Sequence, residues 1–261
     1  TTMLWIGGQI TAQAIIKSIF IPSLVAVIIP LLMLGLSLKG NLTQTTAHKI
    51  LQPKSSAKER NLVLIIGLVS LLFVPVFKTW TGLPPFMGML FSLGVMWLIT
   101  EIIHSGKDTI DKDNLSVNFA IRKIDTPSIL FFLGILISVA ALQSAGTLKE
   151  MADYLNQQIG NQKIIVMVLG GLSAIIDNVP LVAATQGMYS LTDFGTDHPF
   201  WLFLAYCSGT GGSMLIIGSA AGVAAMGLTK IEFFWYLKRV SLWALLGYLS
   251  GAAVFILMSW S

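Results

Sequence analysis

The sequence predicts an all-α polytopic membrane protein, and three observations carry that expectation. Of its 261 residues, 55% are hydrophobic and 11% charged, with a mean hydropathy of +0.80; a soluble domain carries about 25% charged residues. The apolar residues form long blocks, Ile19 to Leu38, Asn61 to Phe77, Phe86 to Ile103 and Phe233 to Trp260, each close to the roughly 17–25 residues that cross a bilayer. The charges gather between the blocks, so the lipid bilayer is the expected partner.

Taken in order, residues 1–12 read as the second half of an earlier broken helix and 13–38 as a transmembrane helix. Thr1 and Thr2 stand where an initiator Met, a basic n-region and a cleavage site are absent, so the chain is expected to begin in mid-protein. Residues 39–60 form a basic loop with Lys39, Lys49, Lys54, Lys58 and Arg60. Lys107, Lys112, Arg122 and Lys123 mark a second basic loop, and Lys230, Lys238 and Arg239 a third. Basic loops face the cytoplasm. This orientation accounts for the net charge of +4, so nucleic acid is not an expected partner.

Transmembrane helices fill 61–144, ending in the apolar run Thr126 to Ser144. In 145–162 the apolar positions Leu148, Met151, Leu155 and Ile159 recur at helical spacing beside Lys149, Glu150, Asp153 and Gln157. That pattern predicts an amphipathic helix lying along the outer interface. Residues 163–189 hold two apolar runs, each too short to span, separated by Asp177-Asn178 with Pro180 beyond. A re-entrant hairpin fits them, with the turn placed at Asn178-Val179 because Pro180 disfavours a helical lead-in. Residues 199–228 read as a broken helix, Phe200 to Cys207 and Met214 to Leu228 flanking Ser208-Gly209-Thr210-Gly211-Gly212-Ser213. The C-terminal transmembrane helix occupies 229–261.

Thr1 to Gly8 followed by a span parallels Ser219 to Met226 followed by a span, which suggests an inverted repeat whose first hairpin and first break lie in a missing N-terminal half. Such transporters place interrupted helices around an ion site at the bilayer midplane. Asp177 is the one ionisable residue between Lys163 and Asp193, and a charge at that depth needs a cation, a proton or a counter-charge. The alternative is a hairpin tip at the outer interface, with Asp177 and Asn178 as a solvated turn or helix cap. Ser208, Thr210 and Ser213, with carbonyls near Gly209, Gly211 and Gly212, offer neutral oxygens for a hard cation; the alternative there is close packing of small residues. Asp177, Asn178, Thr210 and Ser213 are the expected sodium ligands, and Asp177 the group that carries the coupled proton.

His48, His104 and His198 are dispersed and expected to be solvated, and Glu101 to snorkel at a helix end. The Asp108, Asp111 and Asp113 run reads as a solvated loop, and the lone Cys207 as core packing. Asp177 has no acid partner, zinc-binding His cluster or Ser–base pair near it in sequence, which argues against an enzyme. No cofactor is expected; sodium enters as a substrate.

The segment Ala174-Ile175-Ile176-Asp177-Asn178-Val179-Pro180 resembles the ion transporter superfamily, which includes NhaD-type sodium/proton antiporters, arsenite permeases and divalent-anion/sodium symporters. Tyr206 to Ser219 is similar to the second broken helix of the NhaD branch, and Thr1 to Gln9 to the segment after its first broken helix. The resemblance implies a scaffold domain within 61–144, an elevator-like transport domain and a homodimer. It implies exchange of sodium or lithium for protons in a bacterial inner membrane or an organelle membrane of bacterial descent. An arsenite or carboxylate permease of the same superfamily is the alternative, disfavoured because the hairpin tip offers a carboxylate and no nearby Lys or Arg.

Overall fold

A computed structural model describes residues 2–37, 56–105, 121, 122, 124 and 126–259. Lys39, His48, Lys49, Lys54, Lys107, Asp108, Asp111, Lys112, Asp113 and Lys123 lie outside the described residues. Among those described, all regular structure is helical: α1 (Thr2–Ile6), α2 (Ala12–Ser37), α3 (Ala57–Thr81), α4 (Pro85–His104), α5 (Thr126–Ser144), α6 (Thr147–Ile159), α7 (Gln162–Leu172) and α8 (Asn178–Met188). The order continues with α9 (Pro199–Gly211), a 3-10 turn (Ile216–Gly218), α10 (Ala220–Thr229), α11 (Phe233–Arg239) and α12 (Ser241–Ser259). Four of these, α2, α3, α4 and α12, are long and apolar enough to cross a membrane. Large apolar side chains such as Leu36, Leu72 and Trp80 point outward along them, as lipid-facing residues do.

The chain divides into two compact units, Thr1–Gly40 with Leu130–Ser261, and Asn41–Ile129. The second holds α3 and α4. Ser56 caps α3 by accepting from the Glu59 N–H at 3.2 Å, so the helix begins inside the predicted loop 39–60 and takes Lys58 and Arg60 into its first turn. Gly82, at φ 70°, ends it in the left-handed conformation that glycine adopts without steric cost. Gly88 of α4 lies against the Phe77 ring, and the Ser92 hydroxyl donates to the Ser70 carbonyl across the pair. His104, expected in water, is buried at the end of α4.

In the first unit, α9 is buried almost all round, with Phe200, Trp201, Phe203, Tyr206 and Cys207 in the core. Such a helix is the post on which others pack. At its start His198 caps Phe200 through Nδ1, Phe194 stacks on Phe200 at 4.2 Å, and Trp201 Nε1 donates to the Phe194 carbonyl. His198 is thus a capping residue rather than a free loop histidine. Glycines on α12 let it close on α2: a Cβ at Gly247 would strike the Ala26 carbonyl, and one at Gly251 the Pro22 carbonyl and the Tyr206 hydroxyl.

The sequence-based 229–261 span is two helices, since α11 ends at Arg239 and α12 starts at Ser241. Lys238 and Arg239 fill the last turn of α11, the negative end of a helix, where cations are favoured. The amphipathic α6 follows α5 after a bend at Gly146, φ 80°. Its Leu148 is buried, and Leu155 and Ile159 pack on Ile165, Leu169 and Leu181 of α7 and α8. Much of the apolar stripe expected at an interface is therefore spent on the hairpin arms, and Met151 is left exposed.

Candidate functional site

Two interrupted elements of the first unit meet. The first is the pair α7 and α8, whose 11 residues each rise about 17 Å at roughly 1.5 Å per residue, too short for a core of about 30 Å. The chain turns between them at residues 173–177. This corrects the turn expected at Asn178-Val179: both residues are helical, with Pro180 in the first turn of α8. Proline is tolerated there because the first N–H groups of a helix have no intrahelical acceptor to lose.

Asp177 occupies the cap position of α8, half-buried, with its side chain making no capping hydrogen bond. The capping role foreseen as an alternative is not what its carboxylate does. The carboxylate sits instead at the positive end of the α8 dipole, which favours a negative charge. Asn178 is half-buried beside it.

The second interruption lies farther along than its composition suggests. Ser208, Gly209, Thr210 and Gly211 are all helical, and the break runs from Gly212 to Ser219. Hydroxyls explain the shift: Thr210 Oγ1 donates to the Tyr206 carbonyl at 2.7 Å, one turn back, so the residue fits a helix. Ser213 Oγ donates to the Thr210 carbonyl at 2.6 Å. Gly211 and Gly212 are buried, Thr210 is half-buried, and Gly209 and Ser213 are exposed. Ser219 then caps α10, accepting from the Gly222 N–H.

The two interruptions dock through a residue outside the sequence-based set. Ser173, fully buried, donates its hydroxyl to the Ser208 carbonyl at 3.0 Å. Around this bond backbone meets backbone: a Cβ at Gly211 would collide with the Gly170 carbonyl, and one at Gly218 would lie 2.6 Å from both the Ser173 and Ala174 carbonyls. Ser208 is 1% exposed, and its own hydroxyl makes no hydrogen bond among the described residues. Such a group costs about 1–3 kcal/mol unless something satisfies it. The junction is thus rich in neutral oxygens. Among the described residues no hydrogen bond joins Asp177 or Asn178 to residues 208–213; Ser173 and Ala174 make the approach. A serine at the end of an otherwise apolar arm was the one sequence signal for it.

Among the described residues no group of three His, Cys, Asp or Glu side chains is disposed to hold a metal ion. The oxygens at the junction are hydroxyls and backbone carbonyls, and the Asp177 carboxylate lies at the end of the same hairpin turn; oxygen donors of this kind suit hard cations.

The profile of the citrate transporter family, CitMHS, matches residues 2–193, most of the chain and the whole hairpin. The chain belongs to this family. It is also 50% identical, over 98% of its length, to sodium/proton antiporter 1 of Arabidopsis thaliana, covering 44% of that protein. Its identity to sodium/proton antiporter 2 of the same plant is 46%, over 98% of the chain and 61% of the relative. The Na(+)/H(+) antiporter NhaD of Vibrio parahaemolyticus is 28% identical over 91% of the chain and 61% of its own length. The chain therefore spans about half the length of these relatives. No solved structure matches it. Helices and relatives together make this family member a multi-pass membrane protein.

Proposed function

We propose that the protein containing this chain exchanges sodium, and lithium as a second substrate, for protons by alternating access. The observation that carries the reading is the docking of the hairpin turn onto α9, through Ser173 and the Ser208 carbonyl, and onto the break beyond it, through Gly218 against the Ser173 and Ala174 carbonyls, with Asp177, whose carboxylate makes no capping bond, at the same turn. The relatives' names point the same way.

In this reading Asp177 is the titrating ligand, and Asn178, Ser208, Thr210, Ser213 and the backbone oxygens at Gly209, Gly211 and Gly212 supply neutral coordination. A proton and a cation compete for the same carboxylate oxygens, so one side chain carries either load but not both. Release of one makes room for the other. Transport is expected of the full-length protein, for which the resemblance implies an elevator-like movement and a homodimer.

A second reading, carboxylate transport, is favoured by the family's description as citrate transporters. Proton flux in vesicles containing the full-length protein separates the two. Sodium or lithium added without any organic anion is expected to drive proton movement, with citrate and arsenite adding nothing. Flux that requires citrate supports the second reading and rejects the first.

A further inference from the structure

The carbonyl at Ser213 lies beyond the hydrogen-bonded ladder of α9, which ends at Gly211. A backbone carbonyl left in this way inside a membrane needs a partner, and here the partner comes from 23 residues downstream. The Tyr236 hydroxyl, on α11, donates to the Ser213 carbonyl at 2.7 Å. Tyr236 is half-buried, whereas its helix neighbours Phe234, Trp235 and Leu237 are exposed. With Phe233, half-buried one turn earlier, it forms the inward side of α11. The helix that carries it has only seven residues, separated from α12 at Val240, where the backbone bond runs from the Val240 N–H to the Tyr236 carbonyl.

We infer that Tyr236 is a positioning residue for the ion site, holding the Ser213 carbonyl in place so that the neutral oxygens of the break face the cation; this rests on the sodium-transport reading above. Three features of the bond support a positioning role. Its acceptor is the main chain at the break itself, two residues from Gly211, which packs on the Gly170 carbonyl of the hairpin, and beside Gly212, which packs on the Gly218 carbonyl at the far end of the break. The adjoining oxygen is also fixed, since Ser213 Oγ donates to the Thr210 carbonyl. Finally, the tether runs to a short, separate helix, so movement of α11 transmits directly to the geometry of the break. Tyr236 itself touches no ion; it acts through the carbonyl that it holds.

The consequence is a split between affinity and rate. Loss of the hydroxyl frees the Ser213 carbonyl to turn away, so the site binds sodium less well, while the titrating carboxylate and the moving parts are unchanged. A net hydrogen bond corresponds to about a three- to ten-fold change in an equilibrium constant. In the full-length protein Tyr236→Phe is expected to raise the sodium concentration for half-maximal proton exchange by about that factor at every pH tested. The maximal rate should stay within about two-fold.

A merely structural tyrosine predicts a lower maximal rate or poorer insertion at unchanged half-saturation. That outcome, with an active wild type, overturns the role of Tyr236 and leaves the transport reading intact. Absence of sodium-driven exchange in the wild type overturns both. Should Tyr236→Phe insert poorly, thermal stabilisation of the purified variant by sodium chloride, against choline chloride, reads the same affinity: a several-fold shift supports the inference and coincident curves contradict it.

Discussion

Ser208 and Ser173 lie side by side with opposite consequences for stability. The Ser208 hydroxyl is buried without a hydrogen-bond partner among the described residues, so replacing it by a hydrogen removes an unmet desolvation cost. Ser208→Ala is expected to leave thermal stability in detergent unchanged or raised, yet to weaken half-saturation by sodium if the hydroxyl is a ligand. Ser173→Ala instead strips a donor from the buried Ser208 carbonyl and is expected to cost about 1–3 kcal/mol. A Ser208→Ala variant that loses stability while sodium affinity holds would show the hydroxyl to be structural. Thr210 and Ser213 donate their hydroxyl protons to carbonyls of the same segment, which leaves the oxygen lone pairs available to a cation; their alanine variants are expected to weaken half-saturation by sodium without changing the titrating group.

Elements are held by a few close approaches and by one loop. Gly211 stands against the Gly170 carbonyl, so Gly211→Ala forces the hairpin off α9. Overpacking of this kind costs about 1–3 kcal/mol, and the variant should lose sodium-driven flux along with thermal stability. Farther out, the loop before α9 clasps the start of α2: the Asp197 carboxylate accepts from the Thr11 N–H at 2.6 Å and its hydroxyl at 2.9 Å, and the Asp197 N–H donates to the Gln9 carbonyl. Asp197 has φ 62°, a left-handed conformation that Asn tolerates better than Ala. Asp197→Ala should therefore destabilise more than Asp197→Asn in thermal unfolding.

Within the same loop the Ser190 backbone N–H, and then its hydroxyl, hold the Asp193 carboxyl below the usual carboxylate range. A lowered native value contributes stability above the unfolded value and loses it as pH falls through the native one. Hydrogen-exchange protection of the Ser190 amide should thus persist down to about pH 4 and fall below that. Asp193→Asn should remove this pH dependence.

The membrane-spanning blocks were legible because lipid leaves hydropathy as the main constraint, and Thr126–Ser144 and Thr147–Ile159 fall where their patterns place them. Interruptions were legible as regions but not as residues. Pro180 was misread because helix first turns tolerate it, and the break lies beyond Thr210 because a hydroxyl can bond back along its own helix. Contacts such as Tyr236 to Ser213 or Asp197 to Thr11 join positions far apart in sequence with no period to announce them. Composition alone does not say which tyrosine meets which carbonyl.

At the scale of the whole molecule, sodium/proton exchange at this junction requires a re-entrant hairpin and an ion-coupled carboxylate. Single cysteines at Gln162 and Ser190, in a Cys207→Ser background of the full-length protein, should be labelled by an impermeant reagent from the same side of the membrane. Labelling from opposite sides would make 163–189 one crossing. The central claim, that sodium and a proton compete for Asp177, is tested most directly by Asp177→Asn, which keeps the size of the side chain and removes both its charge and its titrating proton. Proton flux against sodium concentration at several pH values, in vesicles with the full-length wild type and this variant, is the measurement. The expected result is normal insertion with exchange abolished, while Asp177→Glu retains activity with altered sodium affinity; near-normal sodium-dependent exchange in Asp177→Asn would contradict the account.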